Sequence, residues 1–225
     1  MKPSNHSDAV GQPRVVGLQR GKAADWQFGG RWVLSAIGKT AVQGTVAIRK
    51  LGIEGDEQVH LRYHGGPERA LCAYPSAHLA EWEREWNIPL PPGSFGENLT
   101  VDGLDETTAH IGDRFRFGSA LIEITQPREP CANLAGKLGA AGALDRLHDS
   151  GRTGWYLRVL EEGEAGANMT LVREQAGASG ISVLDAYRIR TDRNASGADL
   201  LRLASAPGLS EGWRSSLHRR LIQAD

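Results

Sequence analysis

Short apolar runs separated by glycine and proline dominate the first three quarters of the chain. Most of these runs contain β-branched or aromatic residues, a composition typical of strands bounded by turns. The predicted strands cover residues 14–18, 32–37, 45–48, 70–74, 115–117, 121–125 and 169–172. Many short strands joined by glycine-rich turns predict a mainly β fold, either a barrel or a folded sheet.

Helical spacing of apolar residues interrupts the strands twice. In the first segment the residues that share one helical face are Leu79, Trp82 and Trp86. We expect Ser76 to cap this helix, because a serine hydroxyl can accept a free N–H at a helix start, and Pro89 to end it. A second helix, rich in alanine and leucine, is predicted over residues 138–148, ahead of Gly151.

Near residue 177 three short helical patterns replace the strands. Ser182 and Ser196 each precede an acidic residue by three positions, which is typical of a helix start, and Ser210 begins the third pattern. The apolar residues that follow at helical spacing are Val183, Ala186, Ile189, Leu200, Leu203, Trp213, Leu217 and Leu221. A unit of about 45 residues buries a small core, so we expect it to pack on the rest of the chain.

These patterns predict three parts along the chain. Residues 1–13 are expected to be a flexible N-terminal tail, residues 14–176 a strand-rich domain with a few helices, and residues 177–225 a small three-helix domain. Arg214, Arg219 and Arg220 make the last helix basic. We interpret them as a solvated helix face, with phosphate binding as the alternative.

Composition narrows the classes of function. The 225 residues are 40% hydrophobic and 24% charged, with a formal net charge of −1. This charge gives no support to nucleic acid or an anionic membrane as a partner. No apolar run approaches the roughly 20 residues that cross a bilayer, and the polar first 14 residues lack the apolar core of a signal peptide.

The two cysteines bear on the predicted cellular location and on the predicted metal chemistry. They are too few for a disulfide scaffold, so a reducing cytoplasm is the predicted location. They are also too few for a zinc ribbon or an all-cysteine iron–sulfur cluster. Cys72 lies in an apolar run without an adjacent charge, and we interpret it as a core residue.

Cys131 follows the strand-like residues 120–125 and two prolines. Proline fixes its own φ and pushes the residue before it to an extended conformation, so Cys131 is expected on a rigid corner past a strand end. Arg128 precedes it by three positions and Asn133 follows by two. A nearby cation favours the thiolate, which binds soft metals. The alternative is an inert core cysteine.

Three glycine turns carry further polar residues. Residues 51–58 bracket acids with glycines; we interpret them as a structural turn, because their spacing does not match a calcium loop. Gly65 and Gly66 allow close approach of a ligand, and His64 and Arg69 beside them could add donors. Asn98, in the third turn, has an amide that needs partners if buried.

Taken together in this order, these motifs resemble the MOSC family, named for the C-terminal domain of molybdenum cofactor sulfurases, and most closely its YiiM-like branch. The segments that carry the resemblance are residues 51–58, 64–75, 95–99, 111–118, 126–131 and 154–156. Residues 182–221 resemble the three-helix domain of that branch. The pair QPREPC and HGGPERAL at this separation makes the likeness specific.

The resemblance implies a MOSC-type β-barrel that binds the molybdenum cofactor, a pterin that carries a dithiolene-bound molybdenum and a phosphate. Cys131 would be the protein's own sulfur ligand to the metal. The residues that would surround cofactor or substrate are Gly65, Gly66, Arg69, Asn98, Arg128 and Asn133.

The resemblance also implies an activity, the reductive removal of oxygen at molybdenum from N-hydroxylated compounds such as hydroxylaminopurine base analogues. The catalytic residues would be Cys131, Arg128 and His64, with His64 as a proton relay or as the owner of a structural hydrogen bond. Because the chain has no dinucleotide-binding fingerprint, a separate electron donor is predicted, most simply a flavin reductase.

Three alternatives are weighed at this stage, and the first and the third stay open. The first is a non-redox carrier of the cofactor, or a sulfur-transfer module that uses a Cys131 persulfide. The second, a PLP enzyme, is discounted, since none of the five lysines lies in a recognisable PLP context; they are Lys2, Lys22, Lys39, Lys50 and Lys137. The third is a structural protein with a vestigial site.

Overall fold

The structure is a computed structural model that describes residues 12–59, 61 and 65–224. Its first strands are β1 (Arg14–Arg20), β2 (Ala24–Phe28), β3 (Arg31–Ser35), β4 (Thr40–Ala41), β5 (Thr45–Arg49), β6 (Gly52–Ile53) and β7 (Leu71–Pro75). The later strands are β8 (Leu99–Asp102), β9 (Arg114–Phe117), β10 (Ala120–Pro127), β11 (Trp155–Glu161), β12 (Gly163–Gly166) and β13 (Leu171–Gln175). The helices are α1 (Ser76–Trp86), α2 (Ala132–Leu138), α3 (Ala143–Ser150), α4 (Val183–Thr191), α5 (Gly197–Ala204) and α6 (Glu211–Ala224).

The main sheet has the strand order β13-β9-β10-β11-β7-β8-β1-β4. Its neighbours pair antiparallel except β7 and β8, which run parallel. The sheet curls so far that the start of β1 meets the segment leading into β13. Val15 N–H donates to the Met169 carbonyl at 2.9 Å, and Leu171 N–H donates to the Pro13 carbonyl at 2.7 Å. The predicted mainly β, barrel-like fold with a C-terminal helical domain is therefore confirmed.

The barrel and the C-terminal helices share one hydrophobic core. Strand β10 is buried along its whole length, and α4 packs against it. Ile181, Val183 and Leu203 belong to the same buried cluster as Ile122 and Phe115 of the barrel. The C-terminal helices thus gain their stability largely by burying apolar surface against the sheet, as their small size requires.

Three of the predicted helix starts are correct and one is wrong. Helix α6 begins at Glu211, directly after Ser210. The hydroxyls of Ser182 and Ser196 accept hydrogen bonds from the N–H groups three residues later, at 3.0 and 3.1 Å. Ser76 is instead the first residue of α1, after Pro75, and its hydroxyl donates to Asp102. This helix also ends before Pro89, because Asn87 adopts a left-handed conformation with φ of 52°.

The helix predicted over residues 138–148 is confirmed only in part, since α3 covers Ala143–Ser150 and ends ahead of Gly151 as predicted. Helix α2 ends at Leu138 and α3 begins at Ala143. Gly139 and Gly142, with φ of 65° and 70°, separate them. Glycine adopts positive φ without a steric penalty, so the chain turns here although its alanines favour a helix.

The interpretation of the basic residues of α6 as a solvated face is wrong for two of the three arginines. Arg214 donates to the carbonyls of Ala206 and Leu209, beyond the end of α5. Arg220 donates to the carbonyl of Asp192, just past α4, at 2.7 Å. Arg214 also donates to the Ala204 carbonyl and Arg220 to the Arg190 carbonyl, which are carbonyls that a helix end leaves without intrahelical partners. None of the described helices is long and apolar enough to cross a membrane.

Candidate functional site

Two cavities meet at Cys131. The inner cavity, of about 100 Å³, lies at one end of the barrel, and the outer cleft, of about 700 Å³, lies between the barrel and the C-terminal helices. The residues that line both are Gly65, Arg69, Cys131 and Tyr156. Cys131 therefore has access to a small cavity on one side and to a ligand-sized cleft on the other.

The backbone fixes Cys131 at the corner that the sequence predicts. Strand β10 ends at Pro127, and Arg128 N–H donates to the Gly154 carbonyl at 3.0 Å. Cys131 is extended, with φ of −128° and ψ of 165°, and its carbonyl accepts the Ala135 N–H at the start of α2. The thiol is half-buried. It is thus held between a strand end and a helix start, and it is not sealed in the core.

Arg128 brings a buried positive charge to the inner cavity. One guanidinium nitrogen donates to the Phe95 carbonyl at 2.5 Å, but Nε has no hydrogen-bond partner among the described residues. Burial alone would lower the pKa of Arg128, but the nearby Cys72, Tyr156 and Cys131 side chains raise it above its usual range. A buried donor without a partner is costly, so it fits a polar or anionic ligand in this cavity.

Asn98 is fully engaged within the protein. Its side-chain N–H groups donate to the Gln19 carbonyl at 3.2 Å and to Asp56 Oδ2 at 3.0 Å. Its Oδ1 accepts the Cys72 N–H at 3.1 Å. Asn98 lines the inner cavity, but its Oδ1 is used to hold β7 and its donors are used to hold β1 and to position Asp56.

Asp56 and Lys39 form a buried ion pair at the inner cavity. Lys39 Nζ lies 2.6 Å from Asp56 Oδ1, and their side chains are 6% and 4% exposed. The same oxygen accepts the Gly21 N–H at 2.6 Å. The interpretation of residues 51–58 as a structural turn missed this contribution to the cavity. A buried pair of this kind is strongly destabilised when one partner is removed.

The diglycine turn is held against residues 51–58. Gly65 and Gly66 have φ of 108° and 82°, and the Gly66 N–H donates to Gln58 Oε1 at 2.9 Å. Arg69 donates from Nε to the Gly65 carbonyl at 3.1 Å and from Nη2 to the Leu61 carbonyl at 3.2 Å. A methyl group on Gly65 would lie 2.2 Å from Gln58 Oε1. Only glycine fits there.

Tyr156 is a residue that the motifs did not predict for the site. In the β11–β7 register it lies opposite Cys72, and it lines both cavities. Its hydroxyl makes no hydrogen bond to any residue that the structure describes. Burial raises its pKa, so the phenol stays a neutral donor at physiological pH.

The structure brings most of the predicted site residues together. Those that line the inner cavity are Gly65, Arg69, Asn98, Arg128, Cys131 and Asn133. Gly66 lines the outer cleft alone, and His64 lies outside the described residues. The lining residues that sequence reasoning missed are Lys39, Asp56, Gln58, Cys72 and Tyr156. Cys72 is buried as predicted, but it also lines this cavity, and burial raises its pKa.

The donor set bears on what metal centre could form. Within the described ranges, no group of three or more His, Cys, Asp or Glu side chains could hold a metal ion. A metal bound to Cys131 would therefore take one soft sulfur from the protein and its other ligands from a cofactor. The unpartnered Arg128 Nε and the adjoining cleft fit a polar cofactor of this kind.

Comparison with known proteins gives a consistent result. A family model described as "MOSC domain" matches residues 60–175, and one described as "YiiM-like, 3-alpha helix domain" matches residues 181–224. The protein YiiM of Escherichia coli is 37% identical over 192 residues, which cover 84% of this chain and 85% of that protein. A protein named "Reductase" from Gibberella moniliformis is 32% identical over 85% of this chain but only 35% of its own length.

A solved structure supports the same assignment. The crystal structure of YiiM from Geobacillus stearothermophilus superposes with a TM-score of 0.78 at 33% identity. The match covers 93% of this chain and 99% of that one. The barrel and the C-terminal helices are therefore both similar to those of that structure.

Proposed function

The chain belongs to the MOSC domain family, in its YiiM-like branch, and from this premise we propose that it is a molybdenum-cofactor-binding oxidoreductase. The proposed reaction is the reduction of N-hydroxylated compounds, such as hydroxylaminopurine bases. It converts R–NHOH, two electrons and two protons into R–NH₂ and water. The name of the fungal relative supports a reductase, but this chain spans only about a third of that protein.

One observation carries the proposal. The half-buried thiol of Cys131 stands where the inner cavity and the outer cleft meet. A sulfur placed there can hold a cofactor metal while the cleft leaves room for an organic substrate. The buried Cys72, in contrast, lines the inner cavity but not the outer cleft.

The remaining roles follow from chemistry at this junction. The bound cofactor would supply the two electrons, and the protein would position the reactants. Arg128 is fixed by the Phe95 carbonyl, and its free Nε would orient the departing oxygen or an anionic cofactor group. Tyr156 would donate a hydrogen bond from its free hydroxyl. Gly65, Gly66, Arg69, Asn98 and Asn133 would complete the cofactor pocket.

Two parts of the proposal rest on sequence reasoning alone. His64 as a proton relay is one of them, because the residue lies outside the described ranges. The other is a separate electron donor, most simply a flavin reductase. With two cysteines in the chain, an all-cysteine iron–sulfur relay of its own cannot be built.

The test uses the two cysteines as a matched pair. The protein, Cys131→Ser and Cys72→Ser are purified from cells that make the cofactor, and molybdenum is measured per chain. We expect Cys131→Ser to lose the metal and Cys72→Ser to retain it, because only Cys131 faces both cavities. Equal metal in all three proteins would refute ligation by Cys131.

Activity is measured on the same samples with hydroxylaminopurine and reduced methyl viologen as an artificial electron donor. Conversion to adenine by the wild type and loss of it in Cys131→Ser are the expected results. Bound molybdenum without reduction by any artificial donor would favour the carrier or sulfur-transfer alternative.

A further inference from the structure

The outer cleft has one wall that belongs to the C-terminal helices. Gly212, Ser216 and Arg219 of α6 recur at helical spacing, and all three line the cleft. A methyl group on Gly212 would meet no atom within 4 Å, so the small residues leave this wall open. The cleft volume of about 700 Å³ lies within the range of small-molecule sites.

The wall is anchored to the loop that carries the diglycine turn. The Glu68 carboxylate accepts the Glu211 N–H at 3.0 and 3.1 Å, at the first residue of α6. Ser210 Oγ donates to Gln126 Oε1 at 2.6 Å, in buried surroundings. The position of α6 relative to Cys131 is therefore fixed by direct hydrogen bonds and not by a flexible linker.

The acids that line the cleft are already engaged. Glu68 accepts the α6 N–H and lies 3.5 Å from Arg158, and Glu129 lies 3.5 Å from Arg190. Arg219 is exposed and makes no ion pair or hydrogen bond with the residues that the structure describes. The lining therefore leaves an uncompensated positive charge on α6.

A second donor lines the same cleft. Trp213 is 6% exposed, lines the cleft, and its indole N–H has no hydrogen-bond partner within the described ranges. The guanidinium of Arg190 lies 5.7 Å from the centre of the same ring. An anion in the cleft would find a cation and an N–H donor among the lining residues.

We propose that the α6 wall selects substrates that carry a phosphate, so that the preferred substrate is the nucleotide form of an N-hydroxylated purine. This inference rests on the proposed function. Arg219 pairs with the phosphate at the α6 wall, while the N–OH group reaches Cys131 across the cleft. A free base reaches the same reaction centre without the phosphate contact.

The test compares binding of the deoxygenated products to the cofactor-loaded protein by calorimetry. The ligands are AMP, adenosine and adenine, and the proteins are the wild type, Arg219→Ala and Arg202→Ala. Arg202 is an exposed arginine of α5 that lines neither cavity, so it is the matched control. We expect the wild type to bind AMP about tenfold more tightly than adenosine, the factor that one hydrogen bond to a charged group contributes.

In Arg219→Ala that preference should fall to near one, and in Arg202→Ala it should persist. Higher salt should weaken it, because an exposed charge pair is screened. Equal affinity of the wild type for AMP and adenosine would overturn the inference. Loss of molybdenum in Arg219→Ala would overturn it as well, since the phosphate recognised would then be that of the cofactor.

Turnover separates this inference from the proposed function. The N6-hydroxy forms of adenine, adenosine and AMP are each incubated with the wild type and reduced methyl viologen. A higher kcat/KM for the nucleotide supports the inference, and equal kcat/KM values contradict it. If no form is reduced while AMP binding still depends on Arg219, the proposed reduction fails and the phosphate site stands.

Discussion

The inner cavity and the outer cleft share four residues but differ in how their polar groups are satisfied. In the inner cavity most partners come from the barrel itself, as with Asn98, Asp56 and Lys39. In the outer cleft, about a third of the lining residues come from the C-terminal region, and Arg219 is left with no described partner. A polar group with every bond made inside the protein serves the fold, whereas one left free can serve a ligand.

The comparison teaches where to look for structural and for binding residues. Asn98 lines a cavity, yet its Oδ1 accepts from β7 and its amide N–H donates to Asp56. Arg128 and Tyr156 are exceptions in the inner cavity, because the buried Arg128 Nε and the Tyr156 hydroxyl have no hydrogen-bond partner among the described residues. Substitutions in the inner cavity should therefore mainly reduce stability, and substitutions in the outer cleft should mainly change ligand binding.

The largest expected effect is that of Asp56→Ala. The substitution leaves Lys39 buried without its partner, so we expect the free energy of unfolding to fall by about 3–5 kcal/mol. Chemical denaturation measures this change. The control is Lys22→Ala, which removes one partner of an exposed pair with Glu57 and should cost at most about 1 kcal/mol. Equal losses in the two variants would contradict the distinction between a buried and an exposed pair.

A smaller effect is expected at the contact between the barrel and α6. Glu68→Ala removes the carboxylate that accepts the first N–H of α6, so the free energy of unfolding should fall by about 1 kcal/mol. It should also weaken AMP binding, because the wall that carries Arg219 loses an anchor. Ser196→Ala removes a comparable cap from α5, away from the cleft. It should cost similar stability and leave AMP binding unchanged; weakened binding in both variants would argue against a specific role for Glu68.

Local chemistry explains which parts of the fold could be predicted. Ser182 and Ser196 cap their helices because the bond spans only three residues and depends on little else. The break at Gly139 and Gly142 was missed, since the alanines and leucines on both sides of these glycines favour a helix. Closure of the barrel depends on pairing Arg14 with Thr170, which no local pattern encodes.

The site residues likewise divide into those that local sequence predicts and those that only the fold brings together. The corner at Cys131 was predictable because two prolines stiffen the backbone there, whatever the surroundings. The Lys39–Asp56 pair was not predictable from local sequence. Asp56 is held in place by Asn98, which lies 42 positions away along the chain. Tyr156 was part of a matching motif, but only the β11–β7 register places it opposite Cys72.

The smallest predicted effect concerns the pH dependence of stability at Lys137, the last basic residue of α2. Lys137 Nζ donates to the Gly93 carbonyl at 2.5 Å, and burial lowers its pKa to about 8 from an ordinary 10.5. Between these two values the unfolded chain binds more protons than the folded one. The free energy of unfolding contributed by this group therefore rises as pH increases from about 8 to 10.5.

Lys137→Met removes that contribution. Between pH 8 and 10 the wild type should gain stability relative to the variant, by on the order of 1 kcal/mol. Urea denaturation of both proteins across this range measures the difference, and the other lysines and tyrosines cancel because both proteins contain them. Lys22→Ala, whose lost ammonium is exposed, should show no such divergence. Parallel stability curves for the wild type and Lys137→Met would mean that the Lys137 ammonium reaches solvent. The buried charged groups would then be limited to those such as the Lys39–Asp56 pair.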